Sequence, residues 1–212
     1  MAGAMGRNEV VDAIHVGFSN AVKEYIGWTG GGTKRRHLVE SVTTVYAARE
    51  IKARADALGA RNWITLEQVF GELVEWADAA PGRGRPAKEL SELKKKSTGR
   101  VDIVLWNSNS LPRSLIEVKT GLDAKLLTDA KRILDWIYFF GRNFCGSIRY
   151  GVVATTFRFD VNRPDRSKSS CDAIGRAMKE LAGEYGMAVK ADLRPMPIDG
   201  FNVGSATFLI SR

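Results

Sequence analysis

Gly99-Arg100-Val101-Asp102-Ile103-Val104-Leu105-Trp106 and Leu115-Ile116-Glu117-Val118-Lys119 are two aliphatic runs joined by a polar stretch from Asn107 to Ser114. Their content of Val, Ile and Trp predicts strands. Asp102, Glu117 and Lys119 interrupt them, and charge inside strands of this kind is costly unless it is paired or metal-bound. If the polar stretch closes a hairpin, Asp102 falls opposite Glu117 or Lys119 in the two most natural registers. Either one puts Asp102, Val104, Trp106, Leu115, Glu117 and Lys119 on one face and Val101, Ile103, Leu105, Ile116 and Val118 on the other. A slip of one residue would carry Asp102 to the aliphatic side, so the pattern selects the register. The aliphatic face predicts packing on a helix, and the charged face predicts the lining of a groove.

Two carboxylates on adjacent strands raise each other's proton affinity unless a cation lies between them. Magnesium suits such a place, because it takes one or two carboxylates and completes its shell with waters and phosphate oxygens. It polarises a phosphoryl group or acidifies a bound water. A lysine on the same face can steer the attacking water and offset charge growing on the phosphate. The chemistry this pattern points to is phosphodiester hydrolysis.

Gly99-Arg100-Val101-Asp102, followed by Ile116-Glu117-Val118-Lys119-Thr120, resembles the PD-(D/E)XK nuclease superfamily. The resemblance implies an α/β fold with a restriction-endonuclease-like core, a central mixed sheet flanked by helices. It implies Asp102 and Glu117 as ligands of Mg2+, with Mn2+ able to substitute, the Val118 carbonyl as a further ligand and Lys119 as the catalytic lysine. Val101 stands where a proline is usual. The implied activity is that of a restriction-like endonuclease acting on DNA, as a homodimer if both strands are cut. The alternative is a non-catalytic nucleic-acid-binding or assembly module that keeps the fold.

Many relatives of that kind add an acid from the first core helix, and residues 33–58 predict this helix. Thr33 can cap its start, Gly59 follows its end, and Val39, Val42, Tyr46 and Ala53 recur at helical spacing. Glu40 lies on a different line, with Thr44, Ala47 and Ile51, whose small or apolar side chains would allow a close approach to the sheet. Glu40 is therefore the expected third carboxylate and metal ligand, with Glu50 as runner-up. Before this helix, residues 1–32 predict a helix and a loop. The Gly30-Gly31-Gly32 run follows no evident strand, so no nucleotide cofactor is expected. His15 and His37 show no partner pattern for zinc or for a Ser-His-Asp site.

Beyond the lysine, Gly121-Leu122-Asp123 leads into a helix to about residue 140, with Leu126, Leu127, Ala130, Ile133, Leu134, Ile137 and Tyr138 on its apolar face. The resemblance makes this the crossover helix. Tyr138 has Leu134 a turn earlier and no glutamine occurs in the helix, which sets the chain apart from the exonuclease-type branch. Lys125, Lys131 and Arg132 alternate with Asp123, Asp129 and Asp135, and read either as phosphate contacts or as a solvated face. A strand at 147–159, a helix at 170–185 with Ile174, Met178, Leu181 and Tyr185 buried, and strands at 187–193 and 201–211 complete the pattern.

Residues 60–99 read as an insertion before the catalytic hairpin, helical first and basic afterwards. Thr65-Leu66-Glu67-Gln68 has the form of a capping box, and Leu66, Val69, Phe70, Leu73, Val74 and Ala77 follow at helical spacing. Glu67, Glu72 and Glu75 are expected to be exposed. The family's first core strand belongs here, yet the segment offers none. The basic part carries Arg83, Arg85, Lys88, Lys94, Lys95, Lys96 and Arg100 against only Glu89 and Glu92. Such cations release counterions on neutralising phosphates and would hold DNA near the hairpin. Arg83-Gly84-Arg85-Pro86 also resembles the core of an AT-hook, and a plain linker is the third reading.

The 212 residues suit one domain with that insertion, and 44% hydrophobic content is ample for a core. A net charge of +8 favours polyanions without requiring them. Cys145 and Cys171 lack metal-ligand spacing, and a cytoplasmic setting is expected. No run approaches the ~20 apolar residues of a membrane helix. Met1-Ala2-Gly3-Ala4-Met5-Gly6 is no signal peptide and reads as a short added leader, with the native start near Met5.

Overall fold

A computed structural model describes residues 5–30, 39–78, 91, 95, 99–159, 162–198 and 201–212. In chain order these form α1 (Arg7–Thr29), α2 (Glu40–Ala57), β1 (Trp63–Val69), α3 (Phe70–Asp78), β2 (Arg100–Trp106) and β3 (Pro112–Thr120). There follow α4 (Lys125–Phe140), a 3-10 turn (Arg142–Phe144), β4 (Tyr150–Arg158), α5 (Pro164–Glu184), β5 (Ala188–Ile198) and β6 (Phe201–Ser211). The chain is α/β: a six-stranded mixed sheet in the order β1-β2-β3-β4-β6-β5, flanked by helices.

Only the β3–β4 pair is parallel among these neighbours. A parallel pair needs a crossover, and α4 supplies it. Ile103 pairs with Ile116 and Val104 with Leu115, which brings Asp102 opposite Glu117, one of the two expected registers. The loop is closed by Asn107, whose Oδ1 accepts the amides of Asn109 at 2.8 Å and Leu111 at 3.1 Å.

The aliphatic face of the hairpin packs as expected. Ile103, Leu105, Ile116 and Val118 join Val152 and Ala154 under α1 and α2, all of them fully buried. Val101 departs from it and joins the opposite cluster. Each such aliphatic side chain withdrawn from water contributes roughly 1.5–3 kcal/mol. α1 and α2 come together at Gly17, where an added Cβ would stand 2.6 Å from the Ala47 Cα and from the Tyr46 carbonyl oxygen. Thr44, Ala47 and Ile51 are the buried line of α2, whereas Val39 and Ala53 of the expected stripe are exposed. The small residues win because only they allow this approach. α2 begins at Glu40, with Val39 extended before it, and the predicted cap Thr33 lies outside the described residues.

The other face is covered too. Val104, Trp106 and Leu115 lie in a core with Phe70, Leu73 and Val74 of α3 and Ile133, Trp136, Ile137 and Phe140 of α4. The open groove expected along this face is therefore largely filled, and it ends in a polar corner at Asp102 and Glu117.

The first half of the predicted insertion helix is a strand. β1 pairs antiparallel with β2 from Trp63 opposite Trp106 to Val69 opposite Arg100. Thr65 does not cap a helix; its Oγ1 accepts the Trp106 indole N–H at 2.9 Å. Pairing with a fully buried strand outweighs the local capping preference, and the helix starts at Phe70 instead. Leu66 and Val69 are exposed, while Phe70, Leu73, Val74 and Ala77 keep the expected burial. Glu67, Glu72 and Glu75 are exposed as expected. Elsewhere α5 starts earlier than predicted, with a proline in its first turn, and β5 extends further, to Ile198.

Candidate functional site

Asp102 enters the polar corner from the start of β2, and Glu117 and Lys119 enter from the end of β3. Antiparallel pairing makes these the same end of the sheet. Glu40 arrives from the first residue of α2 because its line of small residues lies on the sheet.

All of these converge on one nitrogen. Lys119 Nζ lies 3.0 Å from the Val118 carbonyl oxygen, 3.1 Å from Glu40 Oε1, 3.5 Å from Asp102 Oδ2 and 3.9 Å from Glu117 Oε2. The Val118 amide donates to Asp102 Oδ2 at 2.6 Å, which fixes that carboxylate against β3. Burial alone would lower the proton affinity of Lys119, but Asp102, Glu40, Asp129 and Glu117 outweigh it and raise it.

Glu117 is 1% exposed. Burial pushes its proton affinity well above the usual carboxylate range, helped by Asp102 and Asp129 and opposed by Arg132 and Lys119. Asp129 of α4, also buried, is raised first by burial, with Lys119 and Arg132 pulling it down. Arg132 Nη2 reaches inward to 2.7 Å from Glu117 Oε1 and 2.9 Å from Asp129 Oδ1, with its guanidinium carbon 5.0 Å from the centre of the Phe70 ring.

Asp129 and Arg132 are thus the site residues that reading the sequence missed. Their alternation with other charges reads as a solvated face or as phosphate contacts, and the spacing carries no sign that Arg132 turns into the core. Lys131 does stay outside, donating to the Tyr185 hydroxyl at 3.0 Å. The runner-up Glu50 is elsewhere, accepting from Asn20 Nδ2 at 3.1 Å between α1 and α2. Of the cations expected to meet DNA, Lys95 and Arg100 are exposed, and Arg83, Arg85, Lys88, Lys94 and Lys96 lie outside the described residues. His37 lies outside them as well.

Among the described residues no three His, Cys, Asp or Glu side chains converge as ligands of one metal ion. The donors around the ammonium still fit a hard cation: all are oxygens, and magnesium uses as few as one or two carboxylates. Asp102, Glu117 and the Val118 carbonyl are the residues that would hold it. Glu40, half exposed and paired with Lys119, is within reach of the same corner.

His15 has partners that no local pattern announced. Its Nδ1 lies 2.7 Å from Ser205 Oγ, and its Nε2 lies 3.3 Å from Thr207 Oγ1 and 3.8 Å from Asp192 Oδ2. Ser205 is completely buried, so no substrate carbonyl can approach its hydroxyl, and the cluster reads as a satisfied core histidine. A pocket of about 260 Å³ lies beside it, lined in part by Asp12 of α1 and by Lys190, Asp192 and Arg194 of β5, the edge strand on the far side of the sheet from the hairpin.

Among the described residues no helix is long and apolar enough to cross a membrane, and Cys145 and Cys171 are both free. No family model, no curated protein and no solved structure matches the chain.

Proposed function

We propose that the chain is a magnesium-dependent deoxyribonuclease with a restriction-endonuclease-like core, hydrolysing DNA phosphodiester bonds at the corner formed by Asp102, Glu117, Lys119 and Glu40. The observation that carries this reading is the convergence of four oxygen groups, three carboxylates and one main-chain carbonyl, on Lys119 Nζ. An ammonium held in this way marks a position built for positive charge. The element order supports it as well: with α3 set between β1 and β2, helix α2, the antiparallel strands β1, β2 and β3, helix α4 and a strand β4 parallel to β3 follow the α-β-β-β-α-β order of the core that the resemblance implies.

When bound, Mg2+ would supply a polarised phosphoryl oxygen and an acidified water. Asp102, held by the Val118 amide, keeps one carboxylate in fixed orientation. Lys119, released from its carboxylates, would orient the attacking water and offset charge on the phosphate. Arg100 and the basic segment before it would engage the DNA backbone, and cutting both strands would call for a homodimer.

A second reading, a non-catalytic DNA-binding module of the same fold, is favoured by one feature. Lys119 and Arg132 already neutralise the acids, and Glu117 is almost wholly buried. Cleavage of plasmid and oligonucleotide DNA with Mg2+ or Mn2+, against EDTA and against Lys119→Ala, separates the two. The nuclease reading expects metal-dependent cleavage that the variant lacks. Tight DNA binding with no cleavage of any DNA form under either metal overturns it in favour of the module.

A further inference from the structure

Arg132 is shared by two carboxylates and fully satisfied by neither. Its Nη2 donates a hydrogen bond to Asp129 Oδ1 at 2.9 Å. The same nitrogen lies 2.7 Å from Glu117 Oε1, off the hydrogen-bond direction, so that oxygen has an ion-pair partner but no hydrogen bond. Arg132 Nε and Asp129 Oδ2 are likewise buried without a hydrogen-bond partner. Buried polar atoms are rarely left so.

Two of these three orphans are complementary. Arg132 Nε is a donor, Asp129 Oδ2 is an acceptor, and the residues stand one helical turn apart on α4. A guanidinium presents its donors as a planar fork that matches the two oxygens of one carboxylate. Turning that fork wholly onto Asp129 would pair both orphans at once and release Glu117 Oε1. The Phe70 ring against the guanidinium gives the side chain an apolar surface on which to turn.

We infer that Arg132 is a switchable latch on Glu117: it neutralises this buried carboxylate while no divalent cation is bound, and moves onto Asp129 when a cation takes Glu117. Asp129 is then a positioning residue that acts through Arg132 and does not touch the metal. The inference rests on the metal-dependent reading above and adds to it the means by which a closed, salt-bridged site opens.

The test is Mn2+ affinity of the full chain without nucleic acid, by titration calorimetry and by the loss of the free-ion EPR signal. Wild type is compared with Asp129→Asn, Arg132→Gln and the double variant. Asp129→Asn should weaken binding about tenfold, a usual size for coupling between two states, since the arginine has no second carboxylate to move to. Adding Arg132→Gln should return the affinity to within about threefold of wild type, the non-additivity expected of neighbours that act through one another. Arg132→Gln alone should bind at least as tightly as wild type. Asp129→Ser gives the same comparison if Asp129→Asn does not fold. A double variant as weak as Asp129→Asn would make Asp129 a direct ligand and overturn the latch, as would unchanged binding by Asp129→Asn. Wild type that binds no Mn2+ would overturn the metal-dependent reading and the latch with it, whereas normal wild-type binding with an unaffected Asp129→Asn overturns the latch alone.

Discussion

The Val118 amide donates to Asp102 Oδ2 across 2.6 Å, tying the carboxylate of one strand to the backbone of the next. The same oxygen lies 3.5 Å from Lys119 Nζ. Asp102 is therefore oriented by the backbone, independently of the ammonium. On the nuclease reading, Lys119→Ala should leave Asp102 in place and reduce the rate of DNA cleavage by about 10²–10³-fold, the usual effect of removing one electrostatic stabiliser. Single-turnover kinetics with saturating Mg2+ measures this. A loss below tenfold would remove Lys119 from the chemistry.

Glu117 gives the site a characteristic dependence of stability on pH. Its folded-state proton affinity is well above the ordinary value of 4.5, first because it is buried. The fold therefore favours the protonated form, and the contribution of this group to stability is full below that value and lost as pH rises through the folded-state pKa. Glu117→Gln should raise the melting temperature of the metal-free chain at pH 8, and the gain should vanish by about pH 4. Thermal unfolding of both proteins across that range checks it; a gain equal at both ends would trace the effect to packing.

His15 works in the opposite sense. Burial first, and Arg194 next, lower its pKa to about 4, against the pull of Asp192 and Asp12. The neutral ring is favoured by the fold, so its contribution is full above the unfolded value of 6.5 and is lost as pH falls from there towards 4. The whole loss is of the order of 3 kcal/mol. His15→Asn should be less stable at pH 8 but should flatten the acid limb between pH 6.5 and 4, which urea unfolding at several pH values would show. An acid limb as steep as that of wild type would assign it to other groups.

How much of this can be read in the amino-acid order depends on the range of the interaction that decides each feature. The β2–β3 register is legible because the alternation of aliphatic and charged residues has a period of two, and one slip would reverse every side chain. Glu40 is legible through its line of Thr44, Ala47 and Ile51. β1 is not, because Thr65-Leu66-Glu67-Gln68 satisfies a local helix-start pattern, and Leu66, Val69 and Phe70 follow at helical rather than alternating spacing. Arg132 and the His15–Ser205 contact are illegible for a different reason. Arg132 has Asp129 one turn away, but Glu117 and Phe70, which draw it inward, and Ser205 and Thr207, which meet His15, are distant in the chain, and no spacing rule reaches that far.

Gly17 and Gly27 lie on the same helix and should respond oppositely to alanine. A Cβ at Gly17 would meet the backbone of Tyr46 and Ala47, while one at Gly27 would meet nothing within 4 Å. Gly17→Ala should cost about 1–3 kcal/mol, the range for overpacking, and Gly27→Ala should gain roughly 0.5–1 kcal/mol from helix propensity. Because α2 carries Glu40, the first change should, on the nuclease reading, also weaken cleavage by displacing α2 relative to the hairpin. Urea unfolding and cleavage assays on both variants decide the matter; equal stability would mean that α1 and α2 do not meet at this contact.

Glu40 separates the structural from the chemical role of its ion pair. Its contact with Lys119 is 3.1 Å long, but its side chain is 44% exposed, so solvent and salt screen the attraction. Exposed pairs of this kind contribute about 0–1 kcal/mol, and Glu40→Gln should barely change the unfolding midpoint. If Glu40 helps to hold the cation or the attacking water, the same variant should lower cleavage by about 10–100-fold, as loss of a supporting group near a metal does. Raising the Mg2+ concentration should then recover part of the rate, because weakened binding yields to mass action and lost chemistry does not. Unchanged cleavage at all Mg2+ concentrations would reduce Glu40 to a partner that parks the lysine and leave Asp102, Glu117 and the Val118 carbonyl as the whole donor set.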